Sequence, residues 1–362
     1  MDEKKQIAFG NRMTDILNQG ALNLAMGIGY RLELFDAMAA SSSPLSARAL
    51  AQKADLDTRY VREWLGIMVT GKIVDLMEKK DDPLGEESLY QLPPEHAAFL
   101  TRKSGANNMG VYTQELPLLT RLAMDEVAHG FQTGEGVPFS AYPRFQDFMG
   151  QLSDAKHEQV LVEKFLPGVD GGKILEKLKQ GIRVCDLGCG QGVALELMAK
   201  AFPASFFVGV DNDPVSLAAA QKKGGCNLEF VLADAVTLSG KGGWADQFDY
   251  VTAFDAIHDQ SRPLESLKAV GHILKPGGIF SMVDIDAASG HGGNLSHPMG
   301  PFLYTVSLMH CMPQGLDNKG AGLGMMWGRE RAVALLKQAG FTRVDLCEMA
   351  HDPFNIHYQC RI

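Results

Sequence analysis

Three acids and three glycines stand at a spacing that could hold a cationic, ribose-bearing ligand. A short apolar run, Ile182 to Leu187, carries Asp186 near its end and is followed by Gly188, Gly190 and Gly192. The run reads as a buried parallel strand, and Val193 to Lys200 reads as the helix after it. Strand, glycine turn and helix make a crevice at the carboxyl end of a parallel strand. Glycine is needed there because a Cβ would hold the backbone away from a ligand. A dinucleotide site spaces its glycines G-x-G-x-x-G and offers a helix N-terminus to a pyrophosphate. Here the pattern is D-x-G-x-G-x-G, and an acid ahead of the glycines suits an ammonium better than a phosphate.

The next strand, Ser205 to Val210, ends in Asp211-Asn212-Asp213-Pro214. An acid after the second strand can accept hydrogen bonds from a ribose diol. Asp213 is the better helix cap of the two, and Pro214 suits the first turn of that helix. A third strand, Leu228 to Leu232, leads to Asp234, which is either a ligand contact or an ordinary turn aspartate. A fourth, Phe248 to Phe254, runs into Asp255-Ala-Ile-His258-Asp259. Histidine can take a proton near neutral pH, and His258 sits at the open end of the sheet. Its alternative is a structural histidine bonded to backbone. Leu274-Lys-Pro-Gly-Gly278 then turns into a fifth strand, Ile279 to Ile285.

These five segments, in this order, resemble the motifs of class I S-adenosylmethionine-dependent methyltransferases. The resemblance implies an α/β fold: a Rossmann-like seven-stranded sheet behind an N-terminal, mostly helical winged-helix domain. It implies S-adenosyl-L-methionine as cofactor, with Asp186, Gly188, Gly190 and Gly192 around its amino-acid part. Asp211 would take the ribose, Asp234 and the Ala235 N–H the adenine, and Asn212 and Asp255 would complete the set. The segment from Asp255 to Ser261 is similar to the one that carries the catalytic base in winged-helix small-molecule O-methyltransferases. There a tryptophan follows the His-Asp pair, and here Gln260 stands in its place. The acids that orient that histidine have no counterpart placed by motif in this chain. The implied activity is methyl transfer to a small molecule, read as O-methylation with His258 as general base, although fold alone does not fix the acceptor atom.

The elements that must position these residues fill 362 residues, enough for two domains. Apolar content of 46% and charged content of 21% describe a globular chain. No apolar run reaches the roughly 18 residues of a membrane span, and the first residues lack an apolar signal core. Six scattered cysteines without a C-x-x-C pair read as reduced thiols of a cytoplasmic protein. The net charge of −9 argues against nucleic acid as a partner.

Residues 1–104 read as a helical, winged-helix domain: a short helix capped by Ser46, a second helix from Thr58, and strands at Ile73 to Met77 and Ser88 to Leu92. The loop between those strands, Glu78 to Glu87, is net acidic, where a phosphate-binding wing should be basic. The domain therefore reads as a homodimerisation and substrate-enclosing unit, as in the resembled enzymes, and not as a DNA reader. Residues 105–180 read as a helical connector, whose Tyr142, Phe145 and Phe148 either wall the site or pack between domains. Residues 181–362 form the cofactor domain and end in a hairpin-like pair of strands.

A long segment after the fifth strand holds His291, His297 and His310, whose spacing matches no compact ligand motif, so no metal is expected. Tyr304, Met309, His310, Met312 and Met325-Met326-Trp327 could form an adaptable apolar wall for substrate, or core. Two rivals remain: a nicotinamide-dependent oxidoreductase, disfavoured by the glycine spacing, and an S-adenosylmethionine-sensing DNA-binding regulator, disfavoured by the acidic wing.

Overall fold

The computed structural model describes residues 1–77, 88–142 and 145–362. It divides into two compact units, Met1–Leu118 and Leu119–Ile362. Of the segment expected as a connector, residues 105–118 belong to the first unit and 119–180 to the second.

The first unit is mostly helical. Helix Glu3–Arg31 leads into it. Helices Ala47–Ala54 and Thr58–Thr70 follow. Ser46 caps the first of these by accepting from the Ala49 N–H at 3.1 Å. Asp57 caps the second through the Arg59 N–H at 2.9 Å, which satisfies donors that a helix start otherwise leaves orphaned. Three short strands, β1 (Leu45–Ser46), β2 (Asp75–Met77) and β3 (Leu89–Gln91), pair antiparallel in the order β1-β3-β2. The acidic loop Glu78 to Glu87 lies outside the described residues. Val61, Trp64, Leu65 and Met68 recur at helical spacing and are buried, and the Trp64 indole donates to the Ala25 carbonyl at 2.9 Å. Along helix Glu3–Arg31, Ile7, Phe9, Leu17, Leu24 and Ile28 are exposed.

The second unit is built on seven strands: β4 (Arg183–Leu187), β5 (Phe206–Asp211), β6 (Leu228–Leu232), β7 (Phe248–Phe254), β8 (Leu274–Ile285), β9 (Arg343–Glu348) and β10 (Asn355–Arg361). Their order is β6-β5-β4-β7-β8-β10-β9. The first five run parallel, and β10 is antiparallel to both β8 and β9. The Leu274–Gly278 turn of the sequence reading is continuous with β8. The connections reverse direction between β4 and β7, and ligands of such sheets bind outside the strand ends at that switch point.

Side chains alternate between two buried faces, as the period of a strand requires. One face packs Val184, Phe207, Tyr250 and Val283 against helices Lys173–Gln180 and Val193–Ala201. The other packs Cys185, Val251, Phe280 and Met282 against helices Pro263–Ile273 and Arg329–Gln338. Trp327 belongs to this second core and is 1% exposed. Of the two readings the sequence left open for this residue, wall or core, its packing here is with the core. Among the described residues no helix is long and apolar enough to cross a membrane.

Candidate active site

The glycine turn joins β4 to helix Val193–Ala201. Gly188 has φ +71°, and a Cβ there would lie 2.6 Å from the Ala256 Cβ. The turn after β4 and the turn after β7 therefore touch, and only glycine permits that approach. Gly190, at φ +52°, differs: nothing among the described residues lies within 4 Å of where its Cβ would be. Its backbone is open on that side, as a cradle for a ligand requires.

Asp211, the last residue of β5, braces the turn. Its carboxylate accepts from the Gly190 N–H at 2.7 Å and from the Asp213 N–H at 2.8 Å. Burial pushes its pKa up against the pull of these bonds. Asp213 caps the next helix through the Ser216 N–H at 2.7 Å, as its sequence position implies, and Asn212 is exposed.

Asp186 is 3% exposed. The Thr252 hydroxyl donates to it at 2.6 Å. Burial raises its pKa to about 7, opposed by the Thr252 bond and reinforced by the nearby charge of Asp211. A buried carboxyl held near neutrality, next to an open glycine backbone, is an environment that a cation would relieve. The chemistry of these residues fits the ammonium and diol of S-adenosyl-L-methionine.

Asp234 follows β6. One oxygen accepts from the Val236 N–H at 3.0 Å and the other pairs with Arg262 at 3.0 Å. Ala235 is buried beside it. Asp255 follows β7 at φ +50°. It accepts from the Asn355 amide at 2.7 Å and lies 3.9 Å from the Lys156 ammonium. Burial raises its pKa to about 6. It lines a cavity of about 40 Å³ with Lys156, His157, Phe165, Phe254 and Asp352. Its present partners are thus side chains of the sheet's last strand and of helix Phe145–Val160.

His258 stands in the turn after β7 and is 3% exposed. Its Nδ1 lies 2.7 Å from Asp284 Oδ1. Asp284 sits one residue from the end of β8, fully buried, and also accepts from the Ile285 N–H at 2.8 Å. The histidine thus bonds a carboxylate and not backbone, and that pairing sets the tautomer with its lone pair on Nε2. Nε2 lies 3.4 Å from Asp259 Oδ1, and the imidazole also bonds to Cys311. Burial lowers the imidazole pKa, but the charges of Asp284 and Asp259 outweigh it and hold the group well above its ordinary value.

Motif reading missed Asp284 and Cys311. The signal for Asp284 was present: it is the one acid inside the apolar run Ile279 to Ile285. No signal marked Cys311, which arrives on the helical segment Ser307–Cys311. On the same side, the Tyr142 hydroxyl donates to the Met309 carbonyl at 2.8 Å, and its ring meets His310 edge-on at 4.8 Å. Burial lowers the His310 pKa to about 4. Tyr304 packs against His291 and accepts from the Asn294 amide at 2.9 Å. His297 bonds to the Asp286 carbonyl. The three histidines of the long segment thus have separate surroundings. The side chain of Phe145 lies outside the described residues.

Residues 20–102 match a family profile described as an Rv2258c-like winged HTH domain, and residues 178–299 match one described as a methyltransferase domain. A ubiquinone biosynthesis O-methyltransferase of Pseudomonas fluorescens (strain SBW25) is 25% identical over 193 residues, which is 49% of this chain and 72% of that protein. The enzyme of the same name from Dinoroseobacter shibae is 34% identical over 106 residues, 28% of this chain and 40% of that one. The crystal structure of human N-acetylserotonin methyltransferase, in complex with S-adenosylmethionine, superposes with a TM-score of 0.68 at 18% identity. That match covers 100% of this chain and 98% of the human one, and shows a shared fold.

Proposed function

We propose that this chain, a two-domain S-adenosylmethionine-dependent methyltransferase with an N-terminal winged-helix domain, methylates an oxygen of a small molecule, with His258 as the group that takes the acceptor's proton. The observation that carries the reading is the buried His258–Asp284 pair at 2.7 Å, set in a turn that touches the glycine turn through Gly188 and Ala256. O-methylation is also in the printed names of the ubiquinone-biosynthesis relatives.

When bound, S-adenosylmethionine supplies an electrophilic methyl group. Asp186 would hold its ammonium, the Gly188–Gly192 backbone its amino-acid part, Asp211 with Asn212 the ribose diol, and Asp234 with the Ala235 N–H the adenine. Asp255 lies next to this set, on Asn355. The chain's own work is alignment and proton removal. Asp284 holds the imidazole by Nδ1, so Nε2 faces the acceptor hydroxyl. The charges of the flanking carboxylates hold the imidazole pKa well above its ordinary value, and the base form grows as pH rises. Tyr142, Tyr304 and His310 wall the acceptor side, and their aromatic character suits an apolar or aromatic hydroxyl compound.

The first unit serves as a homodimerisation unit. Leu17, Leu24 and Ile28 are exposed at spacings that share one face of helix Glu3–Arg31, which supports this, since single exposed apolar groups are ordinary but a row of them marks an interaction surface. The net charge of −9 supports a partner set without nucleic acid, and the reduced cysteines suit the cytoplasm.

The test is transfer of a labelled methyl group from S-adenosylmethionine to a panel of phenols, carboxylic acids and amines. The expected outcome is label on a phenol or related hydroxyl, with His258→Ala reducing turnover by about 10²–10⁴-fold while cofactor affinity holds. Label on amines alone, or a His258→Ala variant as fast as the parent, would overturn the reading.

A further inference from the structure

A ring nitrogen of His258, a carboxylate oxygen of Asp259 and the Cys311 Sγ lie within 4.8 Å of one another. They come from two distant segments, the turn after β7 and the helical segment Ser307–Cys311. Methyl transfer as described above gives Cys311 no role, and Asp259 none beyond its charge beside His258. We propose that the three side chains form a binding site for one transition-metal ion of borderline softness, with zinc the best match.

The donor set argues for the metal class. An imidazole nitrogen, a carboxylate and a thiolate together suit zinc and its neighbours, whereas magnesium and calcium take oxygen alone. With a thiolate and a carboxylate as ligands, a divalent ion leaves the site neutral. His258 and Cys311 are 3% and 4% exposed, so that neutrality matters where water is excluded.

One donor separation already has the value an ion requires, and the sulfur lies within 4.8 Å of both donors. Usual zinc bond lengths at tetrahedral angles put nitrogen, oxygen and sulfur donors about 3.4–3.6 Å apart. The Nε2 to Oδ1 separation is 3.4 Å. Asp259 Oδ1 is shielded from solvent, and the groups facing the Asp259 carboxylate are the other two donors, His258 and Cys311. Asp284 holds the opposite nitrogen of His258 at 2.7 Å. A carboxylate behind a histidine is the arrangement that orients and strengthens metal-binding imidazoles. Three protein ligands also leave the fourth position of the ion for water or another ligand.

An ion held here takes the lone pair that His258 needs to accept a proton, so the loaded enzyme is blocked. This consequence, unlike the site itself, rests on His258 being the base.

The test uses the full chain, stripped with a chelator and titrated with cobalt(II) as spectroscopic probe. The expected result is a thiolate-to-cobalt band in the near ultraviolet with strong visible bands of a four-coordinate ion, saturating at one ion per chain and bleached by zinc. Cys311→Ser should abolish the near-ultraviolet band, whereas Cys226→Ser, at an exposed cysteine elsewhere, should keep it. Asp284→Asn should weaken cobalt binding by about 10–100-fold. Circular dichroism checks that Cys311→Ser is folded, and if it is not, Asp259→Asn must weaken cobalt binding in its place. Absence of the band, its survival in Cys311→Ser, or unchanged affinity in Asp259→Asn would overturn the site. Turnover separates the two ideas: zinc loading should stop methyl transfer and chelation restore it. A loaded enzyme that turns over at the stripped rate would overturn the blocking role and the base assignment together.

Discussion

His258 Nδ1 and Asp284 Oδ1 lie 2.7 Å apart, although 26 residues separate them along the chain. The pairing follows from strand register. β7 and β8 are parallel neighbours with Phe254 opposite Val283, so the turn after β7 and the end of β8 emerge on one edge of the sheet. Asp284 is fully buried on the strand, and the imidazole is therefore oriented by the fold itself, before any ligand arrives.

Asp284→Asn should separate orientation from proton affinity. The carboxylate is a main cause holding the His258 pKa up against burial. Removing its charge lets the pKa fall, so the neutral base form is reached at lower pH and the acid limb of the kcat/KM profile moves down in pH. The plateau should also drop, by less than the about 10²–10⁴-fold contribution of a positioned base, because an amide holds the tautomer less well. A plateau loss with no shift of the limb would show that Asp284 does not govern His258 titration.

Two glycines of one turn should fail in different ways. Both hold positive φ, so alanine at either costs about 1–2 kcal/mol of backbone strain. At Gly188 the new methyl would also sit 2.6 Å from Ala256, and at Gly190 it meets nothing. Gly188→Ala should therefore lower the melting temperature more. Gly190→Ala should stay folded and lose cofactor affinity, as read by calorimetry. Equal melting losses with intact cofactor binding in Gly190→Ala would remove Gly190 from the binding surface.

Cofactor binding should release a proton. Burial holds the Asp186 carboxyl protonated up to about pH 7 in the cofactor-free protein. An ammonium beside it favours the carboxylate, so the bound-state pKa is lower than the free one. Below about pH 7 the proton must leave on binding, and affinity falls as pH drops, by up to about tenfold per unit. Above pH 7 the carboxylate is already charged and this dependence vanishes. Calorimetry in two buffers of different ionisation enthalpy reads the proton directly. Proton uptake, or a pH-independent affinity between 5 and 7, would place the ammonium elsewhere.

The candidate cofactor residues could be named from the sequence because their arrangement is local. Asp186, the three glycines and Asp211 are fixed by one strand-turn-helix unit and the strand beside it, and glycine types report backbone demands directly. The proposed base was half legible. His258 could be placed at a strand end, but its partner depends on the register between two strands, which spacing alone does not reveal. Cys311 depends on how a long segment folds back over the sheet, and no local pattern encodes that. Trp327 was open in the sequence: an aromatic in a glycine- and methionine-rich stretch suits a wall or a core, and its packing beside helix Arg329–Gln338 depends on tertiary structure that no local pattern encodes. Short strands were also overextended at their ends, where pairing partners decide the boundary.

Asp211 carries the last prediction, because it serves two masters. One oxygen accepts from Gly190 and the other from Asp213, so the side chain braces the glycine turn whether or not ribose binds. Each oxygen keeps a further lone pair, and those are what a diol would use. Asp211→Ala removes both functions. The loss of a charged acceptor toward the ribose should cost about 1.5–3 kcal/mol, a roughly 10–150-fold weaker cofactor, and the unbraced turn should lower the cofactor-free melting temperature as well. Asp211→Asn keeps the shape but must turn its NH₂ against one of two backbone donors, so it should lose stability too while keeping one acceptor. Turnover at saturating cofactor should change little in either variant, since the proton-accepting pair stands on other strands. A lower melting temperature with unchanged cofactor affinity would leave Asp211 as a brace only, and the ribose would then have to be held by its neighbours.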